Sequence, residues 1–128
     1  MRLLLDTNVL IWALAEPDRL TASARALLED EQNEVFFSAA STWEAAIKAT
    51  LGRIDFRIDP ANLLAFARAA GFVELPVASE IAMTVMTLPL HHRDPFDRLL
   101  VAQALAMPAV LLTADARLCA YSELVRLA

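Results

Sequence analysis

The chain has 128 residues, the size of one ordinary domain, and its 58% hydrophobic content with only two glycines excludes disordered and fibrous classes. Its longest apolar stretches, such as Ala104 to Leu112, are interrupted by Pro108 and fall well short of the roughly 20 residues that a membrane span requires. A net charge of −5 argues against nucleic-acid binding through a broad basic surface, a mode that relies on many Lys and Arg contacts to phosphate.

In chain order, Arg2 to Leu5 is a short apolar run ending at Asp6, and Asn8 to Ala15 has helical length and propensity before the Glu16-Pro17-Asp18 break. Thr21 caps a second predicted helix through Leu28, and after the acidic turn Glu29 to Asn33 the β-favouring Val35-Phe36-Phe37 reads as a strand. Ser41 opens a third helix to about Leu51, with Gly52 as its stop, and Asp59-Pro60 opens a fourth that ends at Gly71. Phe72 to Leu75 is extended. Ala78 to Leu88 reads as helical up to Pro89, and Asp94-Pro95 starts a further helix through Ala106. Ala109 to Leu112 is an apolar strand before Thr113. Alternating strands and helices, with strands that are apolar without a period of two, predict a parallel sheet covered by helices on both faces.

Nothing in the sequence marks a repeat or a linker, so one domain over residues 1–128 is expected. The start MRLLLD lacks the apolar segment of a secretory signal, which makes the cytoplasm the expected compartment. The lone Cys119 has no His or Cys at ligand spacing and is read as packing in an apolar helix.

Ligands of such sheets bind beyond the carboxyl ends of the strands, and acids gather there. Asp6 follows the first strand in LLLDTNVLIW, and Glu44 is placed in the first turn of the helix in SAASTWEAAIK. Asp94 and Asp97 begin the helix in HRDPFDRLLVAQALA, and Asp115 follows the last strand in VLLTADARL. Each acid singly has an ordinary explanation, because Asp and Glu cap helix N-termini. Ser41-Thr42-Trp43-Glu44 even has the form of a capping box, and Asp94-Pro95 that of an N-cap followed by proline. A cap serves only its own helix, however, whereas carboxylates from separate elements at one sheet edge repel one another and call for a cation. Oxygen ligands without a companion Cys or closely spaced His favour Mg²⁺ or Mn²⁺ over zinc. Bound cations would also offset the acidic charge locally, which weakens the objection to a nucleic-acid substrate.

The string LLLDTNVLIW, the helix start STWEAAIK, the block DPFDRLLVAQA and the late LLTAD together resemble the PIN-domain ribonucleases, above all the VapC-type toxins. The resemblance covers essentially the whole chain, in order and spacing. It implies a PIN-like α/β/α sandwich with a central, mostly parallel twisted sheet, and it carries over four acids: Asp6, Glu44, Asp97 and Asp115. Asp94 resembles a further acid common in the toxin branch, a metal or water ligand beside the site. The implied activity is Mg²⁺- or Mn²⁺-dependent hydrolysis of RNA phosphodiesters by water, leaving 5′-phosphate and 3′-hydroxyl ends. The implied partners are a structured RNA such as tRNA or rRNA, a cognate antitoxin protein and a second copy in a homodimer.

Around the acids, Thr7, Asn8 and Thr113 are placed to orient a carboxylate or a bound water, or to cap helices. Lys48, four residues after Glu44, reads as an ordinary ion pair or a phosphate contact, and Arg93 and Arg98 as phosphate contacts or surface salt bridges. Ten of the eleven basic residues are Arg, whose fork suits phosphate and carboxylate alike. His91 and His92 read as solvated or helix-entry residues, with phosphate contact as the alternative. Trp12 and Trp43 read as core or interface aromatics before base-stacking platforms. Two other classes compete: a phosphoacceptor or aspartyl phosphatase, and a non-catalytic interaction module. The first is disfavoured by Asn8 where a phosphatase needs a second Asp and by Lys48 being the only lysine; the second by intact acids at all four positions.

Overall fold

Leu3, Leu4 and Leu5 are consecutive and all completely buried, which a strand achieves only when both faces of its sheet are covered. The computed structural model describes residues 1–52 and 59–128. Within them the strands are β1 (Arg2–Leu5), β2 (Glu34–Ser38), β3 (Val73–Leu75), β4 (Val110–Thr113) and β5 (Val125–Leu127). The helices are α1 (Thr7–Ala15), α2 (Ala22–Glu29), α3 (Ala39–Thr50), α4 (Pro60–Ala69), α5 (Ser79–Met83) and α6 (Pro95–Ala106). The sheet order is β3-β2-β1-β4-β5, and every pairing is parallel.

Side chains alternate across the pleat and so divide the core in two. Leu3, Leu5, Val35, Phe37, Val110 and Leu112 face α1, α2, α3 and α4 through residues such as Val9, Leu10, Ala24, Ala45 and Leu63. Leu4 and Leu111 face the other way, against Leu100, Val101 and Ala104 of α6 and Leu118 of the 3-10 turn Ala116–Ala120. This is the three-layer α/β/α sandwich the alternating pattern predicts. The chain winds from β1 outward to β2 and β3, then crosses back to β4 and β5, so the winding reverses between β1 and β4. Such a reversal opens a crevice at the carboxyl ends of the two strands, the usual place for a ligand.

Three expectations are corrected. The third helix starts at Ala39, not Ser41: β2 stays paired with β3 as far as Ser38, opposite Leu75, and the buried Ser38 hydroxyl accepts the Ala40 N–H at 3.0 Å as the actual N-cap. Ser41 and Glu44 are therefore one turn deeper in the helix, and the capping box does not form. The span Ala78 to Leu88 is helical only at Ser79–Met83 and tightens into a 3-10 turn at Thr84–Thr87, where the Thr84 and Thr87 hydroxyls donate to the carbonyls of Ile81 and Thr84. Cys119 is exposed, not packed, on the outer side of the Ala116–Ala120 turn. Among the described residues no helix is long and apolar enough to cross a membrane.

Candidate active site

Asp6 leaves β1 and immediately caps α1, its Oδ1 accepting the Val9 N–H at 2.8 Å. Its Oδ2 accepts the Thr113 hydroxyl at 2.6 Å and the Ala114 N–H at 3.0 Å, both from the adjoining end of β4. The carboxyl is buried, and burial raises its pKa against the lowering effect of those three donors. A carboxylate held by three donors, one from α1 and two from the end of β4, has little freedom to rotate.

Glu44 points from the second turn of α3 into the same crevice and is also buried. Its Oε1 accepts the Thr7 hydroxyl at 2.7 Å, and its Oε2 lies 2.8 Å from Lys48 Nζ. Thr7 thus orients a carboxylate, as one of its two readings requires, and Lys48 forms the i,i+4 ion pair. Asp94 is the N-cap of α6, its Oδ1 accepting from the Phe96 and Asp97 N–H groups at 2.9 and 3.4 Å. Asp97 follows in the first turn. Asp115 caps the 3-10 turn after β4, with Oδ1 accepting the Arg117 N–H at 3.0 Å.

One cavity of about 200 Å³ is lined by all five acids, together with Thr7, Asn8 and Lys48. Crowding shows in the titration of Asp97: burial, then the neighbouring charges of Asp94, Asp6, Glu44 and Asp115, push its carboxyl up to about 7. Burial and the gathered carboxylates together make full ionisation of the cluster unfavourable near neutral pH, a cost that a cation would relieve. Its oxygen donors suit a hard divalent ion.

Two residues of this cavity were not singled out from the sequence as site residues. His92, half of an adjacent pair read as solvated or helix-entry residues, has a largely buried ring whose Nε2 lies 3.2 Å from Asp97 Oδ2 and 2.9 Å from Asp115 Oδ2. Its Nδ1 accepts the Arg93 N–H at 2.8 Å, so the ring proton resides on Nε2 and is donated to the acids. His92, Asp97 and Asp115 have ligand atoms close enough to share an ion. Neutral His92 with its proton on Nε2 has no lone pair to offer there, which leaves it as an orienting donor to the carboxylates. Arg117 grips Asp115 with Nε at 3.0 Å from Oδ1 and Nη2 at 2.7 Å from Oδ2, and this fork holds the Asp115 carboxyl well below the usual carboxylate range. Its position two residues after an N-cap acid was the available signal; for His92 the sequence offers none that separates it from His91.

Arg98 is a correction. It makes neither a surface salt bridge nor a contact to the acids: Nη1 donates to Pro89 O and Tyr121 Oη at 3.1 and 3.0 Å, and Nη2 to Val85 O at 3.1 Å. Its fork is consumed by carbonyls of the segment leading to His92 and by the Tyr121 hydroxyl. Arg93 is exposed and lines an adjoining cavity. Trp12 packs on the core with the Arg19 guanidinium 4.5 Å from its ring centroid, whereas Trp43 is largely exposed and meets Phe96 edge-on at 5.2 Å.

Comparison with known proteins follows the same lines. The sequence matches the family model described as PIN domain over residues 3–124. It is 33% identical over 120 residues to a Mycobacterium tuberculosis protein named Ribonuclease VapC22, covering 90% of this chain and 88% of that one. Among solved structures, a chain in the crystal structure of VapBC2 from Rickettsia felis, bound to a DNA fragment from their promoter, superposes with a TM-score of 0.71. That match covers 98% of this chain and 96% of the other at 16% identity, and so speaks for the fold.

Proposed function

The chain belongs to the PIN-domain family, in its VapC-type branch, and from that premise we propose that it is a divalent-metal-dependent endoribonuclease and the toxin of a toxin–antitoxin pair acting in the cytoplasm. The observation that carries the reading is the convergence of Asp6, Glu44, Asp97 and Asp115 from four separate elements on one small cavity.

Asp6, Glu44, Asp97 and Asp115 would hold Mg²⁺ or Mn²⁺, with Asp94 beside them. Bound there, the ion supplies Lewis acidity, both to neutralise the scissile phosphate and to acidify the attacking water. The chain's own residues supply the geometry. Thr113 and two backbone N–H groups fix Asp6, Thr7 fixes Glu44, and His92 Nε2 fixes the facing oxygens of Asp97 and Asp115. Asp97, raised to about 7 by burial and the neighbouring acids, would serve as a ligand in its ionised form, so metal loading would be favoured as pH rises. Asn8, exposed on the rim, and Lys48 are within reach of a bound strand. Water as nucleophile leaves a 5′-phosphate and a 3′-hydroxyl.

The substrate we favour is a structured RNA such as tRNA or rRNA, and the partners an antitoxin and a second copy of the chain. In support of buried interfaces, segment 77–90 and its surroundings carry exposed Met83, Met86 and Leu90, and α3 carries exposed Trp43. The deciding experiment is cleavage of total cellular RNA by protein freed of copurifying partners, with Mg²⁺ or Mn²⁺, and with EDTA and Asp6→Asn as controls. Discrete cuts with 5′-phosphate ends, abolished in both controls, are expected; intact RNA with refolded, metal-binding protein would overturn the proposal. Light scattering at micromolar concentration is expected to give twice the 14.0 kDa chain mass.

A further inference from the structure

Beside the acidic cavity lies a second one of about 330 Å³, lined by Leu90, His91, His92, Arg93 and Arg117. The two share His92 and Arg117, so the groove directly adjoins the acidic cavity. Resting on the ribonuclease reading above, we infer that the groove is a subsite for single-stranded RNA, binding the phosphate and base that flank the scissile bond.

Charge, surface chemistry and rigidity each point the same way. No acid lines the groove; of its two guanidinium groups that of Arg117 is engaged by Asp115, and that of Arg93 stands out in a chain of net charge −5. Arg93 is exposed, and among the described residues no carboxylate pairs with it. Arg117 reaches over from Asp115 and so stands between the acidic and the basic halves. A guanidinium fork matches phosphate oxygens in geometry as well as charge. Next to these cations, exposed His91 stands edge-on to Tyr121 with ring centroids 5.0 Å apart, and Leu90 is 70% exposed. Cations along a groove interleaved with a ring and an apolar surface are how unpaired strands are held without reading sequence.

The wall is also prebuilt. Tyr121 Oη accepts the His91 and His92 N–H groups at 3.2 and 3.1 Å and the Arg98 guanidinium at 3.0 Å. Arg98 in turn binds Pro89 O, so the loop carrying His91 and Arg93 is pinned from two directions. An acidic protein segment would also suit a guanidinium, but only a nucleic-acid strand would use the cation, the ring and the adjoining acidic cavity together.

The test is fluorescence anisotropy of a short labelled single-stranded RNA with Mg²⁺, in an Asp6→Asn background that leaves the strand intact, over a range of salt. Adding Arg93→Gln is expected to weaken binding about tenfold and to lower the slope of log affinity on log salt by about 0.7. Arg93→Lys restores the slope, which rules out misfolding as the cause. His91→Ala weakens binding about fivefold with the slope unchanged, and Arg25→Gln, on the remote helix α2, changes nothing. In the otherwise unaltered protein, Arg93→Gln raises KM and leaves kcat near its original value. Affinity and slope unchanged in both Arg93→Gln and His91→Ala would overturn the inference, as would an oligoglutamate peptide that binds more tightly than RNA through Arg93. If the unaltered protein cleaves RNA while Arg93→Gln is unimpaired, the subsite alone fails; if it neither binds nor cleaves RNA, the ribonuclease reading beneath it fails.

Discussion

The Thr113 hydroxyl donates to Asp6 Oδ2 at 2.6 Å across 107 positions of sequence and also accepts the Asp115 N–H at 3.0 Å. One side chain therefore orients the first acid of the site and fixes the backbone of the last. Thr113→Val keeps the shape and removes the donor, leaving buried Asp6 with two donors instead of three. The expected result is a stability loss of about 1–3 kcal/mol in thermal melts and a 10–100-fold loss of Mn²⁺ affinity, roughly the effect of deleting a hydrogen bond behind a ligand. Thr113→Ser recovers both.

Asp97 is both a candidate ligand and a source of strain. Asp97→Asn is expected to abolish metal-dependent cleavage and at the same time raise the melting temperature of the metal-free protein, by an amount equivalent to about 1 kcal/mol at neutral pH. A melt and a cleavage assay on one preparation check the opposite signs; a fall in both would show that Asp97 is needed for folding.

The same crowding sets a pH dependence. Asp97 has its carboxyl raised to about 7 and Asp6 is raised by burial, so between the unfolded value of 3.8 and about 7 the folded state binds more protons than the unfolded one. Stability of the metal-free protein then falls as pH rises through that window. Asp115 runs the other way, but its stabilising pair with Arg117 is already complete above the unfolded value and is lost only on acidification. Melts in EDTA should therefore drop from pH 5 to pH 8, by the equivalent of about 2 kcal/mol after allowance for partial solvent screening of Asp97. Added Mg²⁺ should reverse the trend, because the carboxylates it needs are ionised at the alkaline end.

Arg98→Lys tests the pin under the His92 loop. An ammonium cannot span Pro89 O, Val85 O and Tyr121 Oη at once, and the expected cost is about 2 kcal/mol. Hydrogen exchange should speed up in residues 85–92 and remain unchanged in β1 and β4.

Much of this architecture was legible because strands buried on both faces are uniformly apolar and helix caps are polar: Thr21, Asp59 and Asp94 all cap the helices assigned to them. Ser38 and Ser41 illustrate the limit. Either hydroxyl suits a cap, and what decides between them is how far β2 pairs with β3, a tertiary fact. The three-residue β5 forms because β4 offers it an edge, and two of its residues are exposed, so no local pattern announces it. The acids were legible from position alone. The roles of His92 and Arg98 were not, since both depend on Tyr121, whose hydroxyl reaches a loop 29 and 30 positions away in sequence.

The reversal of winding between β1 and β4 has a consequence for biosynthesis. The strand that leads into Asp6 is synthesised well before the strand that fixes Asp6 and delivers Asp115. A nascent or prematurely terminated chain ending before Thr113 has neither the donor that sets the first acid nor the final acid itself. A stop codon anywhere upstream of β4 therefore removes the Thr113 donor and Asp115 together, without any change to the other acids.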